Sequence, residues 1–176
     1  SATLTNVDLS GVSVAGTNMT SANISGACTI LTRVTSGGIV GLATATLPTG
    51  YVARNGYIIG PGVSATGAAL ASMSFTGVDM TGIDLSAATL TSATLTSATL
   101  TSANLTNAIL TNAITGGGII GLVGATAATL PAGYVARTVS TDTNGFIIGP
   151  RVSLQNAVLT TGGGIRSEEH TSELQS

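Results

Sequence analysis

The feature that most constrains the fold of this 176-residue chain is a pattern that repeats every five residues. From Ala88 the sequence reads ATLTS three times and continues as ANLTN and AILTN, after a looser lead-in of MSFTG, VDMTG and IDLSA from Met73. Within one unit, Ala88 and Leu90 lie two residues apart, which puts both on one face of an extended segment. Because five is odd, a straight strand would turn the next pair to the opposite face. We therefore predict a chain that bends at every unit and keeps its Ala and Leu side chains inside a coil.

The last two positions of each unit carry turn-forming residues. Pairs such as Thr91 and Ser92, or Thr81 and Gly82, favour a bend there. A helix is disfavoured because Thr, Ser and Gly are too frequent and no apolar stripe persists at helical spacing. The same spacing recurs outside the central run, at Leu4, Leu9, Val14, Met19, Ile24, Leu154 and Leu159.

The tandem A(D/N/T)LXX units resemble those of the pentapeptide-repeat family. This resemblance implies an all-β, right-handed, parallel, four-sided β-helix in which four units form one coil. Residues twenty apart should then stack, with coils ~4.8 Å apart. The expected stacked pairs are Phe75 with Leu95, Met80 with Leu100, Leu85 with Leu105, and Leu90 with Leu110.

A longer duplication interrupts the units. GIVGL at 38–42 recurs as GIIGL at 118–122, TLPTGYVAR at 46–54 as TLPAGYVAR at 129–137, and NGYIIGP at 55–61 as NGFIIGP at 144–150. Asn55 and Gly56 predict a two-residue hairpin turn, whereas the second copy has extra residues at 138–143 and predicts a longer loop. The module resembles one in large bacterial pentapeptide-repeat proteins, with Tyr51 or Tyr134 where the family usually has Trp. We predict one domain over 1–165, with hairpin-like insertions at about 32–64 and 116–151.

The composition changes abruptly at Arg166, where RSEEHTSELQS begins. This segment holds every Glu and the only His, His170. One reverse translation of it resembles a short-read sequencing adapter, so we interpret 166–176 as a non-native tail on a fragment of a bacterial protein. A native, solvated charged tail is the alternative.

The body of the chain is formally neutral. Of the five Lys and Arg and the seven Asp and Glu, one Arg and three Glu lie in the tail, which leaves four of each sign. These are Arg33, Arg54, Arg137, Arg151, Asp8, Asp79, Asp84 and Asp142. Neither the basic patch of a nucleic-acid-binding protein nor a densely acidic surface is present. No apolar run reaches the ~18 residues of a membrane span, and the lone Cys28 excludes an internal disulfide.

The residues needed for catalysis are missing from the body. Ser and Thr are abundant, but no His, Lys or Glu is available to activate a hydroxyl nucleophile. Asp79 and Asp84 lie five apart, so they should occupy adjacent sides of the coil and diverge, whereas acid–base catalysis needs converging groups. The glycine runs at 116–118 and 162–164 lack the GK[ST] of a phosphate-binding loop and more simply mark where the coil is interrupted. We predict a protein that is not an enzyme, with no cofactor, no metal and no evident small-molecule substrate.

One set of residues is a candidate interaction surface. Tyr51 with Arg54, and Tyr134 with Arg137, pair an aromatic face with a cation once per module. The alternative, which we favour, is that these side chains pack the hairpins.

We expect a structural or surface-interaction solenoid that acts as a rod or spacer, with hairpins decorating it. Its partner would be a protein, or a second copy that associates through the solenoid ends, at the cell surface or outside the cell rather than in the cytoplasm. One alternative is a regulator that binds DNA gyrase or another topoisomerase by imitating DNA, which would require acidic faces. Another is an ice-binding solenoid, suggested by the outward Thr residues, although Thr89, Thr94 and Thr99 should lie on successive sides.

Overall fold

The computed structural model describes residues 2–26, 29–115, 119–120, 129–138 and 145–153. Within these ranges the chain forms a β-solenoid of isolated parallel bridges, four short strands and one 3-10 helix, with no α-helix. The strands are β1 (Val52–Arg54), β2 (Tyr57–Ile59), β3 (Val135–Thr138) and β4 (Gly145–Ile148), and the 3-10 helix is Leu42–Thr44.

Parallel bridges join each coil to the next. Every bridge with both partners between residues 64 and 114 joins residues twenty apart, as in Thr89 with Ile109. The backbone follows the same pairing: Leu90 N–H donates to the Ile109 carbonyl at 2.8 Å, and Ile109 N–H donates to the Ala88 carbonyl at 2.9 Å. The predicted twenty-residue stacking is therefore confirmed here, and four five-residue units separate bridged partners.

Successive bridges connect residues into columns along the stack. Column 1 contains Ser13, Thr35, Ser64, Asp84, Asn104 and Thr129. Column 2 contains Ser74, Thr94, Ile114 and Ser153. Ser64 and Ser74 lie two units apart, so the two columns are separated by half of a twenty-residue coil.

A β-turn closes each unit. In the turn from Leu85 to Ala88, the Ala88 N–H donates to the Leu85 carbonyl at 3.0 Å. Of its central residues, Ser86 and Ala87, only Ala87 has a positive φ, at 58°, as in a type II turn. The same position is filled mostly by Gly, Ser or Asn in the other units, which confirms the predicted turn chemistry.

Between residues 75 and 110 the core consists of the predicted inward residues. Ala88 and Leu90 are fully buried. So are the residues expected to stack in pairs, namely Phe75, Leu95, Met80, Leu100, Leu85, Leu105 and Leu110. In the first described coil Leu4 is 39% exposed, whereas Ile24 in the next coil is fully buried because coils cover it on both sides.

The early coils are longer than twenty residues. Asp8 pairs with Ile30, 22 residues later, because two extra residues lie between Asn23 and Ile30. Asn23 pairs with Thr46, 23 residues later, and the 3-10 helix Leu42–Thr44 takes up the additional residue. The extra residues thus fall between successive bridges, and the bridges themselves are kept.

Both hairpins form at the predicted positions. Strand β1 pairs with β2 across Asn55 and Gly56, which both have positive φ, and this confirms the predicted two-residue turn. Strand β3 pairs with β4 in the equivalent register, with Val135 opposite Ile148. The loop between them lies outside the described residues, as do the glycine runs, Cys28, Asp142, Leu154, Leu159 and the predicted tail at 166–176.

Candidate functional site: the two hairpin modules

The first hairpin lies within the stack of coils. Ile58 and Ile59 of β2 are fully buried. Ile58 N–H donates to the buried Ser36 hydroxyl at 2.6 Å, and Ile39 N–H donates to the Gly56 carbonyl at 2.9 Å. We expected hairpins that decorate the surface, but the apolar side chains of β2 and these hydrogen bonds hold this one against the preceding coil.

Two polar side chains attach the same hairpin to the following coil. Arg54 donates from Nε to the Ser74 carbonyl of the following coil at 3.0 Å. Its Nη1 donates to the Ala53 carbonyl within β1 at 2.9 Å. Asn55 Nδ2 donates to the Ala69 carbonyl at 2.7 Å. Because these side chains satisfy carbonyls that face the hairpin, the hairpin fits between two coils without leaving those acceptors unpaired.

Each module also contains a tyrosine packed on a glycine. A Cβ at Gly60 would overlap the Tyr51 ring, and a Cβ at Gly149 would overlap the Tyr134 ring. The Tyr51 hydroxyl donates to the Pro61 carbonyl at 3.2 Å, and the Tyr134 hydroxyl is 3.3 Å from the equivalent carbonyl of residue 150. The module is therefore duplicated in three dimensions as well as in sequence.

Burial governs the ionisation of both rings. Burial raises the pKa of Tyr51, and the nearby Asp79 carboxylate raises it further. Burial also raises the pKa of Tyr134, although a hydrogen bond with the Leu110 backbone opposes the change. Both shifts favour the neutral phenol.

The predicted interaction residues have intramolecular contacts wherever their side chains are described. Tyr51 and Arg54 lie in one module and are half-buried, and Tyr134 lies in the other. The side chain of Arg137 is not among those that the structure describes. That these residues contact a partner protein remains a prediction.

Sequence reasoning missed a hydroxyl buried beneath each hairpin. Thr115 Oγ1 donates to the Ile147 carbonyl at 2.7 Å, which matches the Ser36 contact with Ile58. Ser36 N–H donates to the Ser64 carbonyl, and Thr115 N–H donates to the carbonyl of the equivalent Ser153, both at 2.9 Å. When GIV at 38–40 is aligned with GII at 118–120, Thr115 falls opposite Thr35 and not opposite Ser36. The reason is that the second copy has three Gly before the Ile, whereas the first copy has two. The sequence signal that could have identified these two residues is a Ser or Thr directly before each glycine run.

The described carboxylates stabilise their own turns. Asp79 Oδ1 accepts the Thr81 N–H at 2.9 Å and the Thr81 hydroxyl at 2.7 Å. Asp84 Oδ1 accepts the Ser86 N–H at 2.9 Å. Asp79 pairs with Thr99, whereas Asp84 belongs to column 1, so the two carboxylates lie in different columns of the stack.

Hydrogen bonds also set the ionisation of Asp84. Burial alone raises its pKa, but donors from Ser86, Thr66 and Asn104 outweigh burial and bring the pKa below its usual value. In the described ranges no cluster of three or more His, Cys, Asp or Glu residues could hold a metal ion. The same ranges contain no helix that is long and apolar enough to cross a membrane.

Comparison with known proteins identifies the repeat. The family profile described as "Pentapeptide repeats" matches eight copies, over residues 1–28 and 79–114. The chain contains pentapeptide repeats. Proteins of this family are in general non-enzymatic. Both hairpin modules lie outside the two matched segments of this pentapeptide-repeat protein.

One similar solved structure is that of HetL, a pentapeptide-repeat protein involved in heterocyst differentiation regulation from the cyanobacterium Nostoc sp. strain PCC 7120. It is 18% identical, with a TM-score of 0.22. The alignment covers 94% of this pentapeptide-repeat protein and 66% of HetL. No curated protein sequence matches the chain.

Proposed function

We propose that this pentapeptide-repeat protein is a right-handed, four-sided β-helix that acts as a non-enzymatic rod or spacer. The observation that carries the proposal is the unbroken set of twenty-residue bridges between 64 and 114. In a solenoid of this kind each coil contacts only its neighbours, so the length of the body grows with the number of coils. Uniform coils with a fully buried core favour a stiff body.

The first hairpin supports a rod that is continuous through the insertion. It bonds to the coil below through Ser36 and Ile39, and to the coil above through Arg54 and Asn55. Since both neighbours are attached, the insertion adds a layer to the rod and does not act as a flexible joint.

The outward side chains support spacing or protein contact rather than chemistry. Thr89, Thr94 and Thr99 pair with three different residues of the preceding coil, so they form no Thr column of the kind that would favour ice binding. The described Asp79 and Asp84 are engaged by their own turns. Such a surface suits a neutral spacer whose partner is another protein.

The rod proposal is tested by lengthening the chain. Twelve further ATLTS units inserted after Ser102 should form three more coils and lengthen the particle by ~14 Å, at ~4.8 Å per coil. Small-angle X-ray scattering measures the maximum dimension. The control inserts the same sixty residues in scrambled order, which should add a disordered loop and no bridged coil. Equal scattering profiles for the two variants would refute the rod.

A further inference from the structure

The two modules are attached to different columns. The first module begins after Thr35 and ends at Ser64, both in column 1. The second begins after Ile114 and ends at Ser153, both in column 2. The buried hydroxyls establish this equivalence, because Ser36 follows Thr35 just as Thr115 follows Ile114.

A second pair of equivalent residues shows the same offset. Thr46 and Thr129 both precede the Leu-Pro of their modules. Thr129 bridges to Asn104 and so belongs to column 1, whereas Thr46 bridges to Asn23, which lies ten residues beyond Ser13 of column 1. Relative to the first module, the start, the middle and the end of the second module are thus all displaced around the coil by two units.

The number of units between the modules accounts for this displacement. From Ser64 to Ile114 the chain advances fifty residues, or ten five-residue units, and bridged partners are four units apart. Ten units are two complete coils and one half coil. The next module therefore starts half a coil around from the first.

We infer that the two hairpin modules face opposite sides of the solenoid, and that the ten-unit spacing between them sets this angle. The inference rests on the proposed four-sided rod, in which two units correspond to half a turn. The rod then fixes the angle between the two modules as well as the distance between them, so that equivalent parts of the modules face opposite sides.

Equivalent exposed positions in the two modules allow the angle to be measured. Thr49 and Ala132 occupy the same place in LPTGY and LPAGY, and both are exposed. Cysteines at these positions, in a Cys28→Ser background, carry spin labels whose separation is read by double electron–electron resonance. The ATLTS units between the modules can be multiplied without creating a new sequence junction.

The decisive variants insert two or four ATLTS units after Ser102. Two units add half a turn and bring the labels to one side, so the mean distance should shorten although the chain is ten residues longer. Four units restore the opposite arrangement and should lengthen the distance, since they add one coil of ~4.8 Å along the axis. Deletion of 88–97 removes two units, and it should shorten the distance in the same way as the two-unit insertion.

The outcomes separate this inference from the rod itself. Narrow distance distributions that rise steadily with inserted length would overturn the opposite placement while leaving the rod intact. Broad distributions in every variant would instead refute the stiff rod. If the deletion variant loses its β circular dichroism, the two insertions still decide the sign of the change.

Discussion

At the scale of single residues, the hydroxyl beneath each hairpin determines how the hairpin meets the coil. Ser36 accepts a hydrogen bond from Ile58 N–H, whereas Thr115 donates one to the Ile147 carbonyl. A hydroxyl can do either, because it carries one donor and two acceptor lone pairs. Both residues are almost completely buried, so water cannot replace the contact.

We therefore expect Ser36→Ala to destabilise the protein by about 1–3 kcal/mol, since it leaves the buried Ile58 N–H without an acceptor. Urea unfolding followed by circular dichroism measures the change. Ser13→Ala, at an exposed position of column 1, is the matched control and should change stability by less than about 0.5 kcal/mol. Equal effects of the two substitutions would contradict the role assigned to Ser36.

The ionisation of Asp84 should make the free energy of unfolding depend on pH. Its pKa is lower in the folded chain, so its contribution is present above the unfolded pKa and is lost as pH falls through the folded value. Between about pH 5 and pH 2, Asp84→Asn should therefore lose less stability than the unmodified chain. Urea midpoints measured across this range test the prediction, with Thr89→Asn as a control that keeps the original acid dependence. Identical acid dependence in Asp84→Asn and the unmodified chain would refute it.

At the scale of elements, each coil depends on the apolar residues that it stacks on its neighbours. Leu100 is fully buried in line with Met80, and the buried residues of the described ranges include no Arg or Lys that could pair with a charge there. Leu100→Asp should destabilise the stack by at least about 4 kcal/mol and abolish cooperative melting. Thr94→Asp places the same group on the outside of the preceding unit, where it is bridged to Ser74 and Ile114 and faces no carboxylate, and it should leave the melting curve nearly unchanged. Survival of the Leu100→Asp coil would mean that the inward positions are wrongly assigned.

The elements also show which features the sequence could predict. The inward pair Ala88 and Leu90 and the hairpin turn at Asn55 follow from local patterns, because side-chain direction and turn type depend on neighbouring residues. The position of the hairpin between two coils was not predictable in this way. It depends on Arg54 and Asn55 reaching carbonyls twenty and fourteen residues further along the chain, and no local pattern marks those contacts.

At the scale of the whole molecule, the neutral surface predicts no effect on DNA gyrase. Imitating a duplex needs about one negative charge per ~1.7 Å of axis. Outward positions such as Thr94 and Asn104 are neutral here, and four Asp balance four Arg outside the predicted tail. A supercoiling assay with bacterial gyrase and low micromolar protein in physiological salt should show no inhibition. Inhibition under those conditions would favour the topoisomerase-binding alternative over the spacer.

The hydrogen bonds between coils have a mechanical consequence. Bonds such as that from Leu90 N–H to the Ile109 carbonyl join one coil to the next along the stack, so a pull along the axis loads successive coils in series. The outermost coil then detaches first, and each regular coil releases about 70 Å of extended chain. Under tension this protein should lengthen in equal steps, with a larger step wherever a hairpin layer opens.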